Sequence, residues 1–391
     1  MLLEIVFWCC LFIVTYNYIG YSFITYFFIL LKKKPSPSIS IADADLPEVT
    51  LIIPAYNEER FIEKKAQNTL ALSYPKDKLQ IIFITDGSTD NTQQIIKKYP
   101  QFILLHSDKR AGKSAAVNRA MQHVKTPVAI FCDANTLLNE HAIVEISKHY
   151  ANPEIGGVSG EKKVIAESED GAAGSEGIYW KYESMLKKLD SKLYSIVGAA
   201  GELFSVRTDL YEPIEEDTIL DDFMISLRIN LKGYRVIYEP KAYAMETPSS
   251  SIKDEQKRKV RICAGGFQSM SRLLPLLNFF KHPALTFLYI SHRVLRWTLS
   301  PLSLLVLFLI CPFLWKAGIV YQAIIIAQLG FYASSLLGWI LAKKNIKVKL
   351  LYIPYYFTFM NLSVFAGFFK FIRGKQSAVW VRSDRKQLST P

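Results

Sequence analysis

Paired cysteines and clustered histidines are both missing from this chain. Its six histidines are dispersed over 391 residues and no CxxC pair occurs, so nothing in the sequence suggests a zinc site. The five cysteines are scattered too. Cys9, Cys10 and Cys311 lie in apolar stretches, Cys132 in a strand-like run and Cys263 in a basic stretch, and packing is the expected role for each. Repeats and low-complexity tracts are absent. Gly112-Lys113-Ser114 resembles the end of a P-loop, but that motif needs glycine five residues before Gly112, where Ser107 stands, so the P-loop reading fails. Charge is nearly absent from Leu2 to Leu31, where Glu4 is the one formal charge. This stretch is too long for a signal-peptide core and has neither a basic leader nor a small-residue cleavage site. It reads as a retained transmembrane anchor, with a buried core helix as the alternative.

Hydrophobic residues make up 50% of the chain and aromatics 13%. A second apolar block runs from about Leu299 to Ile372, interrupted at Lys316 and at Lys343, Lys344, Lys347 and Lys349. Spans are expected near Leu299–Trp315, Ile319–Ala342 and Leu350–Phe369. The net charge is +12, and much of the excess borders apolar segments: Lys32-Lys33-Lys34, Lys257-Arg258-Lys259, Arg293, Arg296 and the Arg382–Lys386 tail. That distribution suits anionic lipid head groups and positive-inside topology rather than nucleic acid. Lysines directly after the first span place the soluble part in the cytoplasm. Three later spans would export the basic tail, against the same rule, so either one segment is re-entrant or interfacial or the count is off by one.

Pro35-Ser36-Pro37-Ser38 opens a linker that ends near Leu46. Strand-like and helix-like segments then alternate. Val49–Ala55 precedes a helical Glu58–Leu72; Leu79–Thr85 precedes Thr92–Lys98; Phe102–His106 precedes Lys113–Val124; Val128–Cys132 precedes His141–His149. This rhythm predicts an α/β domain with a parallel sheet and right-handed crossovers. Farther on, helices are expected over Glu176–Leu193 and Phe223–Leu231 and strands over Leu203–Arg207 and Arg235–Glu239. Pro275–Pro283 and Leu288–Trp297 read as amphipathic pieces at a membrane surface.

Three polar clusters end three apolar runs: Pro54-Ala55-Tyr56-Asn57-Glu58, Asp86-Gly87-Ser88-Thr89-Asp90 and Asp133-Ala134-Asn135. Ligands of open α/β sheets sit outside the carboxyl ends of the strands, so these tips are able to converge on one crevice. Together they resemble the family 2 glycosyltransferases, whose GT-A fold is a Rossmann-like nucleotide-diphospho-sugar transferase fold. The membrane-integral branch of that family includes cellulose, chitin, hyaluronan and poly-N-acetylglucosamine synthases. The resemblance covers about Val49 to Gly266. It implies a cytoplasmic GT-A domain over residues 47–265, an anchor over 1–34, interfacial helices over 266–298, transmembrane helices over 299–372 and a basic tail over 373–391.

The resemblance also implies roles. Tyr56 and Glu58 would contact uracil and ribose, and Asp86 would accept from a uracil N–H. Asp133 and Asn135 occupy the DxD-like positions and would hold Mg²⁺ or Mn²⁺, both hard cations that favour oxygen ligands; a strand-terminating turn is the alternative. Lys113 would bring charge to the substrate from a helix start, against a reading as a solvated basic loop. Leu220-Asp221-Asp222-Phe223 matches the TED-type motif, which puts Asp222 at the general base and Asp221 as its capping or orienting neighbour. Arg258-Lys259-Val260-Arg261-Ile262 matches a Q/RxxRW signature that holds acceptor and diphosphate, but Ile262 stands where tryptophan is expected, which puts processivity in doubt. Gly198-Ala199-Ala200-Gly201-Glu202 would line the acceptor pocket. Trp180 and Tyr182 are sugar-stacking candidates, with core packing the alternative.

The expected activity is metal-assisted, inverting transfer of a hexose or N-acetylhexosamine from a nucleotide sugar, UDP-linked, to a growing polysaccharide or glycolipid in a bacterial plasma membrane. Single-sugar transfer to a polyprenyl phosphate or ceramide is the alternative, and a silent nucleotide-sugar-binding scaffold is a third reading. A partner subunit is left open.

Overall fold

The computed structural model describes residues 1–32, 45–164, 172–247, 252–344, 346, 348–377 and 379. Most of the Lys32-Lys33-Lys34 run, the Pro35–Ser38 linker, Lys347 and the Arg382–Lys386 tail lie outside these residues. The chain opens with α1 (Leu2–Thr15), one π-helical turn and α2 (Tyr21–Leu31). The central domain follows as β1 (Val49–Ala55), α3 (Ile62–Leu70), β2 (Leu79–Asp86), α4 (Thr92–Ile96), β3 (Ile103–Ser107), α5 (Lys113–Met121), β4 (Val128–Cys132), β5 (Leu137–Leu138), α6 (Ala142–Ser147) and β6 (Ile155–Val164). It continues through α7 (Ala172–Leu193), β7 (Leu203–Arg207), α8 (Asp221–Leu231), β8 (Arg235–Glu246) and α9 (Ile252–Arg272). Short α10 (Pro283–Tyr289) and α11 (Leu295–Trp297) lead to α12 (Leu299–Ile310), α13 (Ile319–Lys343) and α14 (Lys349–Ile372).

The strands form one sheet in the order β3-β2-β1-β4-β7-β6-β8-β5. The first four are parallel, which places the carboxyl ends of β1, β2 and β4 on a single edge. The sheet as a whole is mixed, not parallel as the alternation predicted, because β7 runs antiparallel to both β4 and β6. Strand β6 was not anticipated. Gly156, Gly157 and Gly160 interrupt its apolar pattern, yet it needs them: a Cβ on Gly156 would lie 2.6 Å from Ile229 and Tyr234 side-chain atoms.

Side chains alternate across the sheet. Ile52, Ile82, Ala129 and Phe131 join a core that includes α5, α8 and α10 residues, while Leu51, Ile53, Phe83 and Ile130 join one with α3 and α6 residues. Burial on both faces explains why the central strands are continuous apolar runs. The helix expected from Glu58 starts only at Ile62, since the preceding residues form a turn in which Asn57 has φ 52°.

Three helical stretches, Leu2–Leu31, Leu299–Ala317 and Ile319–Lys343, are long and apolar enough to cross a membrane. Phe7, Leu307, Leu314 and Ile325 pack them together. The span expected over Leu350–Phe369 behaves differently. Helix α14 carries buried Tyr352, Tyr355, Tyr356 and Ser363, polar groups that need partners rather than lipid. Tyr356 Oη donates to Glu255 on α9 at 3.4 Å, and Asn361 Oδ1 accepts from Tyr18 Oη at 2.8 Å. Helix α14 therefore lies against the central domain, and Lys375 to Ser377 and Val379 border the same cavity as Asp86. The 274–297 region is less superficial than expected, because Leu285, Leu288, Tyr289 and Trp297 are core residues. Its exposed apolar groups are Leu274, Leu277, Phe279 and Phe280.

A buried polar knot ties α2 to this body. Tyr21 Oη donates to Asp190 Oδ1 at 2.5 Å, and His292 Nδ1 lies 2.5 Å from Asp190 Oδ2.

Gly367 allows α14 to touch α9, since a Cβ there would meet Cys263 Cβ at 2.5 Å, whereas Gly330 on α13 has nothing within 4 Å. Gly367→Leu should therefore lose about 1–3 kcal/mol of stability through overpacking, with Gly330→Leu as the unaffected control. Thermal unfolding of both variants in detergent, with equal midpoints as the contrary result, checks this contact.

Candidate active site

Tyr56, Glu58, Asp86, Lys113, Asp133, Asn135, Asp221, Asp222, Arg258 and Arg261 all face one cavity of about 940 Å³ at the carboxyl edge of the parallel strands. Its upper wall is built by interlocking loops. Asn57 Oδ1 accepts the Thr89 N–H at 2.8 Å, and the Glu58 N–H donates to Thr92 Oγ1 at 2.8 Å. These bonds clip the turn after β1 to the turn after β2. Glu58 is buried and Tyr56 partly exposed, with the Arg110 guanidinium 3.6 Å from the Tyr56 ring centroid. That stacking depends on Gly87 (φ +69°), where a Cβ would stand 2.7 Å from Arg110 Cβ.

Asp86 organises the loop that carries Arg110. Its Oδ2 accepts the Ala111 N–H at 3.0 Å and the Gly112 N–H at 2.6 Å, and its Oδ1 accepts Arg119 Nη2 at 2.9 Å. Much of its accepting capacity is thus spent inside the protein. Gly112 turns at φ +100° into α5, which makes Lys113 the first residue of that helix and aims it into the cavity.

The charges meet at Lys113. Its Nζ lies 2.7 Å from Asp133 Oδ1 and 3.3 Å from Asp221 Oδ2. Burial works against the ammonium, but Asp133 and then Asp221 outweigh it and hold the pKa above the usual lysine range. Among the described residues, Asp221 Oδ2 is buried and has no hydrogen bond besides this ion-pair contact. Asp221 opens helix α8 as its first residue, and the preceding Leu220 makes no side-chain cap. The expected capping role of Asp221 is therefore not seen; its carboxylate turns to Lys113. Asp222, next along, is pushed up to about 7 by burial and by Asp221, with Lys113 opposing. Gly201 gives it room: a Cβ there would lie 3.3 Å from Asp222 Oδ2.

On α9, Arg261 Nη2 donates to Ile219 O at 3.3 Å and Arg258 pairs with Glu255 at 2.9 Å. Burial lowers the Arg261 pKa, while Asp221, Asp222 and Asp133 raise it, in that order of strength. Both arginines border the cavity.

The donor chemistry fits a hard divalent cation held in part by its substrate. Asp133 and Asn135 supply oxygen to the cavity. Among the described residues no three His, Cys, Asp or Glu side chains form a self-sufficient metal cage. Mg²⁺ and Mn²⁺ sites that use one or two carboxylates plus phosphate oxygens have this composition. The Lys113 ammonium, seated between two carboxylates, shows that the pocket is built around positive charge.

Several residues in or beside the cavity escaped the sequence reading. Arg110 and Arg119 are legible only once Gly87 and Asp86 are placed. Glu183 lines the cavity from α7, and Lys162 reaches Glu202, itself expected at the acceptor pocket, from β6; no local spacing announces either. Arg293 and Arg296, first read as lipid-facing, donate instead to Glu183.

An open α/β sheet with acidic tips on three neighbouring strands is the architecture of GT-A nucleotide-sugar transferases. In fold, the chain is similar to the mannosyltransferase PcManGT from Pyrobaculum calidifontis, solved with GDP-Man and Mn²⁺. The TM-score is 0.73 at 21% identity, over 95% of this chain and 99% of that one. Residues 50–215 match the family described as glycosyl transferase family 2. Among curated proteins it is similar to the poly-beta-1,6-N-acetyl-D-glucosamine synthase of Staphylococcus aureus strain COL, with 28% identity over 255 residues, 62% of this chain and 59% of the relative. The synthase of that name from Staphylococcus epidermidis is 26% identical over 259 residues, 64% and 62% of the two chains. The match thus spans about three fifths of these relatives' length.

Replacing Asp86 by alanine would strand two backbone N–H groups and Arg119. A loss of about 1–3 kcal/mol follows from the desolvation cost of unpaired buried donors. A thermal midpoint equal to that of the parent protein would remove Asp86 as the organiser of the Arg110–Gly112 loop.

Proposed function

We propose that this chain is an inverting glycosyltransferase that moves a hexose or N-acetylhexosamine from a nucleotide sugar to a growing polysaccharide at the membrane. The observation that carries the reading is the shared cavity: Asp222, with its carboxyl raised to about 7, opens onto the same space as Asp133 and Lys113. The similarity to poly-N-acetylglucosamine synthases supports UDP-N-acetylglucosamine as the first donor to test.

Tyr56 and Arg110 offer a flat face for a nucleobase, and Glu58 a carboxylate for the ribose. Lys113 and Arg261 bring cationic groups to the diphosphate, and Arg258 lies on the acceptor side. Asp133 and Asn135 would hold Mg²⁺ or Mn²⁺, which adds charge compensation to the departing diphosphate. Asp222 takes the proton from the acceptor hydroxyl as that oxygen attacks the anomeric carbon opposite the leaving group. A pKa near neutrality suits a base that must be both ionised and basic at working pH. Asp221 holds Lys113 and keeps the Asp222 proton affinity high.

Residues 1–34 would act as the anchor and 47–265 as the transferase domain. With two later spans rather than three, the segment after α14 returns to the side of the transferase domain. Lys32, Lys343 and Lys375 then gather on that side, which supports a cytoplasmic domain at a bacterial plasma membrane. A second reading, transfer to a lipid-linked acceptor, is favoured by one feature: the cavity reaches Tyr18, Phe357, Met360 and Val364 on helices that adjoin the apolar spans. Counting sugars per acceptor in a reconstituted assay separates polymerisation from single addition.

Asp222→Asn should lower kcat by about 10²–10⁴-fold and leave nucleotide binding intact; full activity in that variant removes Asp222 from the mechanism. In the parent enzyme kcat/KM should rise with pH through about 7 and then level off, because only the carboxylate form accepts the proton. A flat profile between pH 5.5 and 8.5, a range of about 1.5 units either side of that value, contradicts the assignment. Asp133→Ala should abolish the gain in nucleotide affinity on adding Mn²⁺. Titration calorimetry showing equal gains in parent and variant would place the cation elsewhere.

A further inference from the structure

Helix α3 turns one face inward, through Ile62, Lys65, Ala66 and Thr69. A lysine is unusual in that company, since Lys65 is 0% exposed. Its ammonium donates to Cys132 Sγ at 2.9 Å and to Thr136 O at 2.8 Å. Among the described residues no carboxylate pairs with it. Taking an ammonium out of water without such a partner is costly, and a methionine would fill nearly the same volume. The two acceptors give the charge a purpose. Cys132 ends β4. Thr136 closes a turn on Asp133, whose carbonyl oxygen lies 3.4 Å from Thr136 N and 3.0 Å from Thr136 Oγ1. Asp133 and Asn135 are the first and third residues of that turn. Lys65 therefore spans its base, with one contact just before Asp133 and the other just after Asn135. Asn68, three residues on and on the same side of α3, accepts the Leu138 N–H and donates to Leu138 O, each at 2.9 Å. Together the two side chains hold residues 132–138 in register with α3.

We infer that Lys65 is a positioning residue for the divalent cation, acting through the turn that carries Asp133 and Asn135. The inference rests on the cation site proposed above and says what sets its geometry. Mg²⁺ and Mn²⁺ hold their oxygen ligands in narrow geometries, and the groups behind the ligands fix that arrangement. One carboxylate and one neutral amide oxygen make a pair that is weak in charge, so its affinity depends on being held ready. A clamp across the base of the turn does this. Charge alone would work the other way, because a buried ammonium repels a cation nearby. The two roles thus give opposite signs when the ammonium is removed.

The experiment measures UDP binding to the full chain in detergent by titration calorimetry, first in EDTA and then over a Mn²⁺ series. Lys65→Met should leave the metal-free affinity at the parental value, which also certifies folding. It should raise the Mn²⁺ concentration for half-maximal tightening by about 10–100-fold. Thr136→Val keeps the side-chain volume and removes the Oγ1 bond to Asp133 O. It should shift the Mn²⁺ requirement the same way by roughly fivefold, the size of one hydrogen bond, and it decides the matter if Lys65→Met does not fold. An unchanged or lowered Mn²⁺ requirement overturns the inference and leaves the transferase reading standing. So does an equal loss of affinity with and without Mn²⁺, the mark of a merely structural lysine. A parent protein that binds UDP equally well with and without Mn²⁺ overturns the cation site, and the inference with it. One that binds no UDP overturns the transferase reading itself.

Discussion

The Lys113 ammonium is the constraint on which the site depends. Asp133 follows β4 while Asp221 and Asp222 open α8, and the three would repel one another in a partly buried space. A cation placed 2.7 Å from one and 3.3 Å from the next makes their convergence tolerable. Its position is set by backbone, not by chance packing. Asp86 fixes the two N–H groups before it, and Gly112 adopts the left-handed turn that starts α5 at Lys113. Lys113 also acts on Asp222, but burial and Asp221 outweigh it and keep that carboxyl raised to about 7.

Much of the parallel half of the fold was legible because its strands are short, apolar and punctuated. Val49–Ala55 and Val128–Cys132 run where their composition suggests, and each ends in the cluster that reaches the cavity. Three signals carried the site: the turn at Tyr56, the acid at Asp86 and the Asp221-Asp222 pair. The roles of these residues were less legible than their places. Asp86 reads as a ligand-binding acid, yet its oxygens serve the Arg110–Gly112 loop. Asp221 reads as a capping or orienting neighbour of Asp222, and its carboxylate lies 3.3 Å from Lys113 Nζ.

What was not legible follows from two physical causes. Strand β6 is rich in glycine because its neighbours crowd it, and glycine erases the alternation by which strands are read. Helix α14 was expected as a span because its aromatics count as apolar; it also packs polar groups against protein, Tyr356 on Glu255 and Asn361 on Tyr18. Non-local clusters such as Lys162 with Glu202 carry no sequence signature at all, since β6 and the segment before β7 meet only after folding.

The knot formed by Tyr21, Asp190 and His292 has a mechanical consequence. It joins the first apolar helix to the catalytic body through short hydrogen bonds rather than through the linker that follows α2. The mouth of the cavity is therefore held at a set angle to the apolar helical stretch Leu2–Leu31, as if on a bracket. Whatever tilts that stretch tilts the cavity with it.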